Sequence, residues 1–175
     1  LGLAMHTGMA VGKTLRTQIA RIEKSVLQQA KLRPEFEPVK TVPGIGDILG
    51  LTIMYEVGEI GRFAAVGNFA SYARCVDSKR LSNGKKKGHH NGKNGNAYLA
   101  WAFVEAAHFA CRYDDQCRRF YDRKKQQTNP VIATKALACK LAKAAWFLAS
   151  QEADYDPARV FPELAVNKKE ALKKE

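Results

Sequence analysis

No stretch of about 18 apolar residues occurs in this 175-residue chain, so no membrane-spanning helix is expected. The four cysteines, Cys75, Cys111, Cys117 and Cys139, include no C-x-x-C pair. That spacing suits neither a zinc site nor a disulfide framework and fits a reducing cytoplasm, with Cys111 and Cys139 read as buried thiols in apolar helical patterns. Leu1-Gly2-Leu3-Ala4-Met5 has no basic n-region, so no secretory signal is expected. A start without Met reads as a piece cut from something longer. Acids are scarce too: 17 Asp and Glu stand against 29 Lys and Arg, for a net charge of +12. Asp77, Glu105, Asp114 and Asp115 lack the spacing of a carboxylate nuclease core, so no metal site is expected within the chain. Convincing strand alternation and internal repeats are both missing, and the expected fold class is all-α.

At 46% apolar residues the chain can build a core. Its cationic excess points to a polyanionic partner, because Lys and Arg release condensed counterions from a phosphate backbone. Residues from about 5 to 32 read as one amphipathic helix. Leu15, Ile19, Ile22 and Val26 recur at spacings of four, three and four and make a narrow, coiled-coil-like stripe. Pro34 and Pro38 end it. The expected domains are therefore a linker helix over 1–33, a helical domain over 34–162 and a charged tail over 163–175. Gly8-Met9-Ala10-Val11-Gly12-Lys13-Thr14 imitates a phosphate loop, but its glycines are one residue too close and the surrounding pattern is helical.

Further helices are expected over about 47–57, from 62 or 67 to 73, 94–112, 114–126 and from Asn129-Pro130 to about 149. The last should bury Ile132, Ala136, Cys139, the Lys143 stem and Phe147 or Trp146. Residues 74–93 read as loop.

Three words carry chemistry. Thr41-Val42-Pro43-Gly44-Ile45-Gly46 reads as the turn of a helix-hairpin-helix. Its glycines, Gly44 and Gly46, clear side chains from the turn, Ile45 pins it to the core, and the N–H groups opening the next helix can take a phosphate. A plain Pro-Gly turn is the simpler alternative. The second word lies in the basic stretch with Arg74, Lys79, Arg80, Lys85, Lys86, Lys87 and Lys93, where Ser82 is a lone hydroxyl among cations that could stabilise an attacked phosphate. No local base stands out; His89, His90 or another domain would supply it. A solvated basic loop is the alternative. In the third word Asn94 and Asn96 would cap the long helix or touch a phosphate. Tyr98 and Trp101 could stack on bases, though core packing is the commoner role of such spacing. Glu105 and His108 read as a helix-surface pair.

In this order, the words resemble the C-terminal domain of bacterial insertion-sequence transposases of the "one-ten" type, the family that also holds the Piv and MooV DNA invertases. The resemblance runs from about Ile19 to Phe161 and is closest over Thr41 to Gly46, Gly67 to Tyr72, Leu81 to Gly88 and Lys93 to Ala107. It implies a DNA recombinase whose catalytic serine matches Ser82 and forms a covalent link to a DNA phosphate. It also implies a separate N-terminal domain with acidic ligands for Mg2+, a structured guide RNA, and a homo-oligomer joined through the N-terminal helix. Without the acidic domain, this stretch alone is expected to be inactive in recombination. Ser82 is followed by Asn83 before Gly84, where many members have glycine at once.

Overall fold

The computed structural model describes residues 2–76, 79–83, 85–89, 94–151 and 153–162. It divides into two compact units, Leu1–Arg33 and Pro34–Glu175. The first is a single helix, α1 (Gly2–Ala30). A lone helix cannot bury its own stripe, and Leu15, Ile19 and Ile22 stand 56%, 51% and 63% exposed. Gly8 to Thr14 lies within the unbroken helix, so no phosphate loop forms there.

The second unit is all-α apart from one small ribbon. Its elements are α2 (Phe36–Lys40), α3 (Asp47–Val57), a 3-10 turn at Ile60–Arg62, α4 (Val66–Tyr72), β1 (Lys79–Ser82), β2 (Lys85–His89), α5 (Ala97–Tyr113), α6 (Asp115–Gln127), α7 (Pro130–Gln151) and α8 (Pro157–Val160). Local chemistry sets most boundaries. Asn96, Asp114 and Asn129 each offer a side-chain oxygen to the N–H three residues on, capping α5, α6 and α7. Gly58, at φ 66, ends α3. Helix α7 packs against α2, α4, α5, α6 and α8 and forms the centre of the unit. Alanines on α5 and α7 (Ala102, Ala106, Ala133, Ala138, Ala142) are fully or almost fully buried and let the backbones approach closely. Phe103 of α5 meets Phe69 edge-on at 6.0 Å, and Phe69 meets Phe63 at 5.2 Å. At the other end, Lys140 donates to the Val160 carbonyl at 2.8 Å and lies over the Phe120 and Phe161 rings, holding α8 on the bundle.

Three local expectations need correction. Pro38 does not merely end the first helix; it sits in the first turn of α2, where its missing N–H has no partner to lose. The buried face of α7 is Ala133, Leu137, Leu141, Ala144, Ala145 and Leu148, while Ile132 and Phe147 are 47% and 45% exposed and Lys143 is exposed. The supposed loop over 74–93 contains an antiparallel ribbon, with Ser82 paired to Lys85 and Lys79 to His89.

Candidate nucleic-acid interface

Helices α3 and α5 run antiparallel. Gly44, just before α3, lies against Ala106 and Ala110 late in α5, and Glu56, late in α3, accepts a 2.6 Å hydrogen bond from Asn96 at the start of α5. The turn between α2 and α3 closes when the Ile45 N–H donates to the Val42 carbonyl at 3.0 Å. Ile45 is 5% exposed and anchors the turn, as expected. Gly44 has φ 83, and a Cβ there would collide with the Ala106 carbonyl and stand 2.8 Å from the Ala110 nitrogen. Gly46 faces open space and caps α3 with no side-chain acceptor. Gly46, Asp47, Ile48 and Leu49 at the start of α3 line a groove of about 520 Å3, together with Phe109 and Tyr113 of α5. Thr41 braces the turn: its hydroxyl donates to the Pro38 carbonyl and accepts the Tyr155 N–H at 3.0 Å.

Asp47 opens α3 and places a carboxylate at its positive end, favourable for the helix but repulsive to an incoming phosphate. Lys40 neutralises it through a 2.8 Å ion pair, and the hydrogen bond to Asp47 raises the Lys40 pKa. A phosphate in the groove meets a paired, not a bare, carboxylate.

The ribbon stands on a locked root. Asn96 N–H donates to the Tyr72 carbonyl at 2.7 Å. The Arg74 guanidinium grips the Gly95 carbonyl from Nε at 3.2 Å and Nη2 at 2.8 Å. Gly95 has φ 93, and a Cβ there would lie 2.5 Å from the Tyr72 carbonyl. At the far end Ser82 closes β1, Asn83 turns the chain at φ 51, and the register sets Lys85 directly across from Ser82. Lys85 and Asn83 are exposed. For Lys79, Arg80, Ser82, Lys86 and Lys87 the description stops at the backbone, and Lys93 and His90 lie outside the described residues.

The other candidate positions divide. Asn96 spends its oxygen on the Leu99 N–H and its amide on Glu56, so its side chain caps and braces. Arg74 grips the ribbon root, and Asn94 is exposed beside it. Tyr98 and Trp101 are not core: they are 65% and 49% exposed, because α5 buries the face of Leu99, Ala102, Phe103 and Ala106. Glu105 is half-buried and His108 exposed. Among the described residues no three His, Cys, Asp or Glu side chains gather to hold a metal, and no helix is long and apolar enough to cross a membrane.

The thiols are inert at neutral pH. Cys117 is the buried one, whereas Cys111 and Cys139 are only half-buried. Burial raises all four thiol pKa values, that of Cys75 to about 12. An unfolded Cys75 loses its proton near 9.0 while the folded one keeps it. Between those values the unfolded chain binds fewer protons, so stability falls as pH rises, and the contribution is fully present below the lower value. The unfolding midpoint should drop from about pH 8 to about pH 10.5, and drop less in Cys75→Ala; equal drops would remove Cys75 from the cause.

Residues 37–122 match the transposase IS116/IS110/IS902 family. The matched segment holds the Gly44 turn, the ribbon and the capped start of α5. The chain is also similar to an insertion element IS116 uncharacterized 44.8 kDa protein of Streptomyces clavuligerus, at 27% identity over 101 residues, which is 58% of this chain and 25% of that protein. The chain thus spans about a quarter of the length of this curated relative. Residues 37–122 thus carry the likeness of this chain to the transposase IS116/IS110/IS902 family.

Proposed function

We propose that this chain is the part of a transposase that grips DNA and supplies the serine nucleophile for strand exchange. The observation that carries the reading is the ribbon: a locked root, two short strands rich in lysine, and Ser82 at the turn opposite Lys85. In the proposed step Ser82 Oγ attacks a backbone phosphorus, one bridging P–O bond breaks, and a sugar hydroxyl leaves as a phosphoserine ester forms. The serine proton goes to a base, with His89, His90 or a group outside this chain as the acceptor, and the departing sugar oxygen takes up a proton from that conjugate acid or from water to leave as a hydroxyl. Arg80, Lys85, Lys86, Lys87, Lys79 and Lys93 would neutralise the phosphates, which is where phosphoryl transfer gains most.

The Gly44–Gly46 turn would act as a helix-hairpin-helix grip on a neighbouring stretch of backbone, through main-chain N–H groups that hold without reading sequence. The exposed Tyr98 and Trp101 suit base stacking. Mg2+ belongs, by resemblance, to an acidic domain outside this chain; the described residues do not gather ligands for it, and no step here runs through it. A structured guide RNA and self-association through the exposed stripe of α1 complete the reading.

The test is covalent capture. A full-length protein carrying this chain, denatured after reaction with its DNA ends, should yield a protein–DNA adduct whose peptide maps to Ser82. Strand cleavage with no such adduct, or an adduct on another residue, would leave a non-catalytic basic helical clamp.

A further inference from the structure

Arg62 ends the 3-10 turn before α4 and is exposed. Its guanidinium carbon lies 4.6 Å from the Phe63 ring centroid and 4.7 Å from that of Tyr72. The platform beneath it is rigid. Phe63 is 9% exposed and packs edge-on against the buried Phe69, and Tyr72 closes α4. The Asn96 amide and the Arg62 guanidinium near the Tyr72 phenol lower its pKa below that of a free phenol. Among the described residues no carboxylate pairs with Arg62. The acid of this cluster, Glu56, accepts from the Asn96 amide.

A guanidinium held between two aromatic rings has its position set in advance. Stacking uses the faces and leaves N–H groups on the edge, in the fork geometry that fits a phosphate. The side-chain ordering that binding normally costs is already complete. The site also has a definite place. Tyr72, which helps carry Arg62, gives its carbonyl to Asn96 at the ribbon root.

We infer that Arg62, held against Phe63 and Tyr72, clamps a DNA backbone phosphate beside the root of the ribbon. The inference rests on the transposase reading for its substrate, but it fails separately. Arg62 is a positioning residue, because it touches substrate away from the reacting phosphorus.

The test uses the full-length protein and duplex DNA carrying its ends, with binding measured across a salt series. Arg62→Ala should weaken binding about five- to tenfold and flatten the plot of log K against log salt by about one unit. It should raise KM and leave kcat near wild type, the mark of binding shared by ground and transition states. Arg62→Lys keeps the charge but loses the planar fork, so it should restore the salt slope and not the affinity. Wild-type affinity and slope in a folded Arg62→Ala protein would overturn the clamp. So would a lower kcat at unchanged KM. Should the alanine variant not fold, wild-type affinity in Arg62→Lys overturns it instead. Loss of the slope in Arg62→Ala, with no adduct at Ser82 in the wild type, would keep the clamp and remove the nucleophile.

Discussion

Replacing Ser82 with alanine in a full-length protein should abolish strand cleavage and covalent capture while leaving DNA affinity within about twofold. The split follows from where the binding elements sit. In the proposed function, binding draws on the cationic ribbon, the start of α3 and the exposed aromatics of α5, none of which needs a hydroxyl at position 82. Covalent chemistry needs the oxygen itself, and a methyl group has no lone pair to offer. Removal of a nucleophile with no substitute leaves only what binding and charge stabilisation can do, a fall of at least about 10^3 in rate. Asn83→Gly separates the oxygen from the turn that presents it. Asn83 already has φ 51, which glycine adopts more readily, so that variant should keep both the ribbon and the cleavage. Cleavage that survives Ser82→Ala would assign the chemistry to another group and reduce this ribbon to a phosphate holder.

The parts of the fold legible in the sequence are those written by local chemistry. Asn129-Pro130 starts α7 as read, with the Asn129 oxygen 2.9 Å from the Ile132 N–H. The stretch from Asp47 to Val57 is a helix from end to end. Where burial decides and many residues are apolar, the pattern loses its phase: α7 is so rich in alanine that several faces look equally fit for the core, and Ile132 stands exposed while of Trp146 and Phe147 only Trp146 is half-buried. The ribbon escaped for the opposite reason. Lys85-Lys86-Lys87-Gly88-His89 has no apolar alternation, because lysines do not mark a buried face. Its sequence signal was the pair Asn83-Gly84, the favoured two-residue hairpin turn. For the site, charge alone marked Arg74 as a phosphate contact, but a carbonyl 21 residues on engages its guanidinium. Nothing in the linear sequence says that Phe63 and Tyr72 will close around the Arg62 guanidinium.

Gly44→Ala should be the most damaging small substitution in the helical unit, and the reason lies in the main chain. At φ 83 an alanine enters the left-handed region at a cost of about 1–2 kcal/mol. Its Cβ then meets the Ala106 carbonyl oxygen and the Ala110 nitrogen, both atoms of the α5 backbone. Side-chain clashes relax by rotation, whereas here α5 itself must move, which adds about 1–3 kcal/mol by the usual cost of overpacking. A total of about 2–5 kcal/mol is a large share of the 5–15 kcal/mol that holds a typical domain together. Ala106→Gly should fail to rescue it, because the obstructing atoms remain when that methyl is gone. Gly46→Ala is the control: its φ is −94, no atom lies within 4 Å of the added Cβ, and the melting temperature should stay within a few degrees. If Gly46→Ala weakens DNA binding without lowering the melting temperature, the open N–H groups of α3 are in use. Thermal melting of the three variants decides the structural part. A Gly44→Ala protein that melts with the wild type would show that the turn is not wedged against α5, and the grip proposed for it would lose its rigid backing.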